Sequence, residues 1–261
     1  MTKHSARNRS NSPNLRRPSR PPRRDLPGGA IWLWGQHAVE AALANPNRHL
    51  HRLVATRNGA QKLGKFAARA EDCPPREIDG LLPPGAVHQG IAGLFDPLPE
   101  TALEDLISAG AERLVILDQV SDPHNMGAIF RSASAFGFSG VILQTRNAPP
   151  ITGIVAKSAA GAVETVKECR VVNIARALDT LGEAGYHTVG MAGEGRATIE
   201  HAVRGAARLA IVMGAEGPGL RPAVAKACAE LARIPIAAEM ESLNVSNAAA
   251  IAFYEATRQA G

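Results

Sequence analysis

The chain has 261 residues, 45% hydrophobic and 20% charged, with a formal net charge of +5. That length leaves room for two domains, and the apolar fraction supports a buried core. The longest apolar runs fall far short of a membrane span, and the basic N-terminus has no apolar stretch behind it, which argues against a spanning helix and a secretory signal.

In chain order, the first feature is a basic arm. Residues 1–24 carry eight Lys and Arg and no acid, so the remaining 21 basic and 24 acidic residues leave 25–261 at −3. The arm is rich in Ser, Asn and Pro and poor in large apolar residues, so its ordering entropy has no burial to offset it. Residues 1–29 are expected to be a disordered basic tail. A detached basic arm reads as a polyanion tether, and as a solubilising extension if nothing anionic meets it.

Structure is expected from Ala30. Ile31–Trp34 reads as a strand, Gln36–Ala44 as a helix ending before Asn45-Pro46, Leu50–Ala55 as a strand and Gln61–Ala70 as a helix. Val87–Gln89 and Ile91–Phe95 read as extended. This defines a small α/β unit over 30–96, closed by Asp96-Pro97-Leu98-Pro99, with a linker and first helix over 97–111. From residue 112 to 261, apolar strands alternate with helical stretches: 113–117 then 125–136, 140–143 then 152–160, 171–172 then 174–182, 187–191, 209–213 then 221–229, and 232–236 then 245–258. Near-continuous apolar strands between helices predict an α/β fold with a parallel sheet covered on both faces.

Three polar blocks sit where such sheets hold ligands, in loops after strands or the helices that follow. The first is Asn125-Met126-Gly127-Ala128-Ile129-Phe130-Arg131. Asn125 reads as a helix cap. Arg131 has only Gly127, Ala128, Ser134 and Ala135 at helical spacing, so it is expected in a close-packed cleft facing an anion: a nucleic-acid phosphate or a structural carboxylate. The second block is Met213-Gly214-Ala215-Glu216-Gly217-Pro218-Gly219-Leu220. Its spacing is not the dinucleotide fingerprint, and Glu216 would repel a phosphate there, so it reads as a rigid turn close to a ligand. The third is Ile234-Pro235-Ile236 followed by Ser242-Leu243-Asn244-Val245-Ser246-Asn247. One helix cap needs one such residue, and the surplus reads as a hydrogen-bonding surface. Cys73, Cys169 and Cys228 lie far apart with no Cys-x-x-Cys or paired Cys/His spacing. No disulfide framework and no metal site are suggested, and a cytoplasmic, reduced protein is expected.

Together the blocks resemble the SpoU (TrmH-type) family of RNA ribose 2′-O-methyltransferases, within the SPOUT class: Asn-x-Gly-x-x-x-Arg, Gly-x-Glu-Gly-x-Gly, and Ile-Pro-Ile followed by Ser-Leu-Asn-Val-Ser. Trp34-Gly35-Gln36-His37-Ala38-Val39 and His88-Gln89-Gly90-Ile91-Ala92 resemble the family's small L30e-like RNA-binding domain. The closest subgroup methylates a guanosine ribose of large-subunit (23S) ribosomal RNA, with transfer RNA as the alternative substrate. Ile236 stands where methionine is common, a volume-conserving change.

The resemblance implies a trefoil-knotted C-terminal methyltransferase domain, a homodimer, S-adenosylmethionine as cofactor and no metal or membrane. It places the cofactor against Met191, Gly193, Gly214, Gly217, Ile234, Ile236 and Leu243, and the catalytic group at Asn125, Arg131, Glu216, Ser242 and Asn244. Arg131 would fix a phosphate and the 2′-oxygen, with a phosphate oxygen or a transiently neutral Arg131 taking the proton. Asn125 would orient Arg131 or the ribose, Glu216 would position Arg131, and Ser242 and Asn244 would complete a polar wall. Two rival classes are a non-catalytic RNA-binding protein and a nucleotide-dependent enzyme using the 214–219 loop. The first leaves Asn125, Glu216 and Asn244 without a shared purpose. The second lacks a lysine or a second carboxylate in that loop.

The charge asymmetry gives a measurable expectation. If about half of the eight tail cations meet phosphates, each adds roughly 0.7 to the slope of log affinity against log salt. Deleting residues 1–24 is expected to flatten that slope for RNA by about 3 units, with little effect on rate at saturating RNA. Titrations at several salt concentrations check it, and parallel slopes would show that the tail does not touch RNA.

Overall fold

The computed structural model describes residues 29–146, 148–237, 240 and 242–258. The expected tail therefore lies, but for Gly29, outside the described residues. Two sheets organise the chain. The first uses β1 (Ile31–Trp34), β2 (Leu50–Ala55), β3 (Glu71–Asp72) and β4 (Ile91–Phe95) in the order β1-β4-β2-β3. β4 runs antiparallel to both β1 and β2, and β2 is parallel to β3. Around it lie α1 (Gln36–Ala44), α2 (Arg57–Lys62) and α3 (Pro75–Leu81).

α4 (Leu103–Ser108) leads into a second sheet of β5 (Arg113–Leu117), β6 (Gly140–Gln144), β7 (Lys167–Val171), β8 (His187–Met191), β9 (Ala197–Thr198), β10 (Leu209–Met213) and β11 (Glu230–Arg233). Its order is β7-β6-β5-β10-β8-β11-β9 and every pairing is parallel. The connecting helices are α5 (Pro123–Ala135), α6 (Gly153–Ala159), α7 (Ile174–Glu183), α8 (Ile199–Ala202), α9 (Pro222–Ala227) and α10 (Val245–Arg258).

The strands are apolar throughout because both faces are covered. Alternate residues of the central strands enter different cores. Val115, Leu117, Val141, Leu143, Ile211 and Met213 pack with Phe130 of α5 and Phe253 of α10. Leu114, Ile116, Ile142, Ala210 and Val212 pack with Leu106 of α4 and Leu178 and Leu181 of α7. Each fully buried large side chain contributes about 1.5–3 kcal/mol, so these two layers hold the sheet between its helices. The first core continues into the small sheet through Leu33 and Phe95.

Several expectations shift, each for a physical reason. The helix expected over 61–70 is α2, capped by Thr56 through Gly59 N–H, followed by a 3-10 turn over Gly64–Arg69; Gly64, at φ 52°, interrupts it. Residues 87–89 form no strand, because Gln89 (φ 56°) and Gly90 (φ 80°) turn the chain. β7 begins at Lys167 rather than 171; it is an edge strand, and its charged residues mask the strand signal. β11 ends at Arg233, before Pro235, which has no N–H to donate. The short elements α3, β3, β9 and α8 carry no periodicity long enough to read.

A buried ion pair joins the two sheets. The Arg48 side chain is 1% exposed and that of Glu164, in the 3-10 turn after α6, is 4% exposed. Arg48 donates Nε and one terminal nitrogen to the Glu164 carboxylate at 3.0–3.1 Å, and its other terminal nitrogen to Asp96 O. Asn45 Nδ2 donates to the same carboxylate at 2.8 Å. Removing one member leaves the other buried without its partner. Glu164→Ala is expected to cost about 3–5 kcal/mol, while the double variant Arg48→Met/Glu164→Leu regains most of it. Urea denaturation of the three proteins checks this.

Candidate active site

All seven strands of the large sheet are parallel, so their carboxyl ends share one edge. Three chain segments meet there. The first follows β5. Asp122 caps α5 by accepting the His124 N–H at 2.9 Å, with Pro123 in the first turn. This corrects the expectation that Asn125 is the cap. Asn125 lies inside the first turn, 9% exposed, and its side chain is free for other work.

The second segment is the turn after β10. Ala215 and Gly219 bond to one another through their backbones at 3.0 and 3.2 Å. A Cβ on Gly214 would lie 2.3 Å from the Gly219 carbonyl carbon, so glycine is required there. Asp118, fully buried at the end of β5, fastens the far side of this turn: it accepts the Arg221 backbone N–H at 2.9 Å and pairs with its guanidinium at 2.6–2.7 Å. The sequence reading missed this pair. Its one signal was an acid directly after an apolar strand.

The third segment enters α10. The carboxylate oxygen Oε1 of Glu216 accepts Asn125 Nδ2 at 3.1 Å, Asn244 Nδ2 at 2.5 Å and the Val245 backbone N–H at 3.4 Å. Asn244 Nδ2 also donates to Asn125 Oδ1 at 3.0 Å. Its own Oδ1 caps α10, accepting the Ser246 and Asn247 N–H groups at 2.9 and 3.3 Å and the Ser246 hydroxyl at 2.6 Å. A carboxylate among donors at a helix start is electrostatically well placed.

The structure thus brings Asn125, Glu216 and Asn244 together. It does not join Arg131 to them. Glu216 and Asn125 spend their described hydrogen bonds on each other and on the start of α10, so the expected contact of Glu216 with Arg131 is not formed and, of the two roles expected for Asn125, orienting Arg131 is not seen while facing the ribose stays open. Arg131 lies further along α5 and is exposed, with no ion pair among the described residues. It lines a groove of about 550 Å³ with His37 and Ala41 of α1 and the Ala159–Ala162 turn after α6. The expected close-packed anionic partner is therefore absent among the described residues. The small residues flanking Arg131 make room for this groove. Ser242 is exposed beside Leu243, which is half-buried.

The residues assigned to a cofactor follow β8, β10 and β11, which are neighbours in the sheet. Met191 ends β8, and Ala192 N–H bonds to Ala232 O at 2.9 Å. Gly193 and Gly217 leave open space where a side chain would stand, and Gly217 has φ 82°. Ile234 is half-buried and Ile236 exposed. The result is an edge of backbone donors and acceptors with apolar Met191 and Ile234 packed on the core beneath it, which suits a nucleoside cofactor held largely through backbone. No thiol is poised as a nucleophile: burial, aided by Asp118, pushes Cys228 up to about 12, and burial pushes Cys169 up to about 11. The metal-capable group found among the described residues is His49, His51 and Asp96, on the small sheet and away from this cluster.

A backbone edge of this kind beside an amide–carboxylate cluster is compatible with a transferase that uses a nucleoside cofactor. The comparisons name the family. Residues 112–254 match the SpoU rRNA Methylase family, and 32–101 match the RNA 2′-O ribose methyltransferase substrate-binding family. The chain is 39% identical over 243 residues to the 23S rRNA (guanosine-2′-O-)-methyltransferase RlmB of Vibrio vulnificus, covering 87% of this chain and 96% of that one. It is 40% identical over 242 residues to an uncharacterized tRNA/rRNA methyltransferase of Synechocystis, covering 88% of this chain but 62% of that longer protein. The crystal structure of an AdoMet-bound rRNA methyltransferase from Sinorhizobium meliloti aligns at TM-score 0.73 and 27% identity, over 88% of this chain and 87% of that one. The chain belongs to the SpoU rRNA methylase family and is an S-adenosylmethionine-dependent RNA ribose 2′-O-methyltransferase.

Asn244 separates a structural job from a site job. Asn244→Ser keeps a capping oxygen but cannot bridge Asn125 and Glu216, so stability is expected near wild type while methyl transfer falls at least tenfold. Asn244→Ala loses both and is expected to cost about 1 kcal/mol in stability as well. Thermal melts and turnover of the two variants check this split.

Proposed function

We propose that the protein methylates the ribose 2′-hydroxyl of a guanosine in 23S ribosomal RNA. The observation that carries the reading is the Asn125–Glu216–Asn244 cluster at the sheet edge, with Arg131 on the same helix as Asn125. The substrate rests on the RlmB relative, matched over nearly its whole length, and on the substrate-binding match at 32–101.

S-adenosylmethionine supplies an electrophilic methyl group when bound. Gly214, Gly217, Ile234, Ile236, Leu243, Met191 and Gly193 would hold it largely through backbone. The remaining work belongs to the chain's side chains and the RNA. Arg131, exposed in its groove, holds a phosphate and the 2′-oxygen through its planar fork and fixes their orientation. A guanidinium is a poor base, so the hydroxyl proton passes to an RNA phosphate oxygen while Arg131 stays charged. Asn125, fixed by Glu216 and Asn244, presents a rigid polar wall to the ribose, and Ser242 adds a hydroxyl at its rim.

The architecture around the site belongs to the same reading. Residues 30–96 act as the RNA-selecting domain, 97–111 as linker and first helix, and 112–261 as the methyltransferase domain. The trefoil knot expected of the methyltransferase domain belongs to the same reading, which rests on the family match over 112–254. The active unit is a homodimer. Ile251 and Tyr254, one turn apart on α10, are 38% and 52% exposed, and Ile236 and Met240 nearby in sequence are 40% and 58% exposed. Covering such apolar surface is what a second subunit does. No described helix is long and apolar enough to cross a membrane, and a protein that meets ribosomal RNA works in the cytoplasm.

Labelled methyl transfer to ribosomal and transfer RNAs, followed by alkaline hydrolysis, tests the proposal. One resistant dinucleotide from 23S RNA is the expected result. Label on a base, or on transfer RNA alone, would overturn it. Arg131→Lys is expected to lose activity nearly as fully as Arg131→Ala, with cofactor binding retained, because a point charge cannot replace the fork.

A further inference from the structure

Lys157 sits on α6 at the seam between the two sheets. Its Nζ donates to Gln89 Oε1 at 2.9 Å. That same oxygen accepts the Gln36 N–H, at the start of α1, at 3.3 Å. The ammonium lies so near Gly35 that a Cβ there would be 2.2 Å from it. One neutral carbonyl oxygen therefore serves both a cation and the positive end of a helix. Burial lowers the Lys157 pKa. A half-buried ammonium usually has a charged partner, and this one has a neutral one.

The surroundings indicate what would complete it. Ser158, next in α6, lies 3.3 Å from the His124 ring at the start of α5, one residue from Asn125. On the other side, α1 carries His37 and Ala41 into the groove that Arg131 lines. Lys157 thus stands at the start of α1 and Arg131 in the groove beside its later residues, both without an ion pair among the described residues. Resting on the RNA methyltransferase reading above, we propose that Lys157 contacts an RNA phosphate at this seam and fixes the strand between the substrate-binding unit and Arg131. Lys157 is an RNA-binding residue that acts on the backbone, so it serves any sequence the small unit selects.

The test uses the full chain and a fragment of 23S RNA that the wild type methylates. Lys157→Met keeps the stem and removes the charge. Gln89→Ala removes the neutral hydrogen bond and keeps the charge. A phosphate contact predicts that Lys157→Met flattens the slope of log affinity against log salt by about 0.7 and weakens low-salt binding roughly tenfold. It also predicts a raised KM for RNA with kcat nearly unchanged. Gln89→Ala keeps the wild-type slope. The melting temperature of Lys157→Met without RNA stays level or rises, because an uncompensated cation is gone from the seam. Parallel salt slopes for wild type and Lys157→Met would overturn the inference, as would equal slope changes in the two variants. If the wild type methylates the RNA and the slopes are parallel, the Lys157 inference alone fails. If the wild type transfers no methyl to any ribosomal RNA, the functional reading fails first.

Discussion

One carboxylate oxygen holds the working edge of this protein together. Glu216 Oε1 takes hydrogen bonds from the helix after β5, the residue before α10 and the first backbone amide of α10. None of these three segments could hold its geometry alone. Asn125 would be a buried amide without a partner, and the 214–219 turn would be a glycine-rich loop with an idle acid. The start of α10 would keep its cap but lose its register to the sheet. A charged acceptor is stronger than a neutral one in such a place, and it favours the positive end of the helix it meets. The second anchor, Asp118 with Arg221, fixes the other end of the same turn. The turn is thus clamped from two directions, which makes its backbone rigid.

The division between the two parts of the molecule follows a different rule. The Arg48–Glu164 pair is buried, multiply bonded and placed where the small sheet meets the turn after α6. Apolar contact alone would let the two parts slide, since hydrophobic packing has little directional preference. A buried guanidinium fork on a carboxylate admits one geometry. Gly153, where a Cβ would strike Trp34, brings α6 hard against β1 for the same purpose. The groove beside Arg131 therefore has a defined width.

Much of this was legible in the residues and some was not. The parallel sheet followed from strands such as Leu209–Met213, apolar at every position, because only a doubly covered strand tolerates that pattern. The three polar blocks stood out because their residue types have no use in a core. Their mutual geometry was not legible: hydrogen bonds between positions 119 residues apart leave no local trace. Asp122 outcompeted Asn125 for the cap because Pro123 suits the first turn, a signal present in the sequence and read one turn too late. Arg131 was misplaced because small neighbours can mean tight packing or an open groove, and helical spacing does not distinguish the two. Edge strands such as Lys167–Val171 hid behind their charges.

The long span between Asn125 and Asn244 has a consequence in time. Synthesis delivers the first block early, and the sheet around β5 and β6 can begin to form on local contacts. The amide–carboxylate cluster cannot close until the residues beyond 244 have left the ribosome and docked, because α10 carries both the cap and the third donor. Catalytic competence is therefore acquired in one late step. A chain interrupted before that step has the start of its sheet and its groove but no finished wall. Only a finished chain therefore carries the complete cluster.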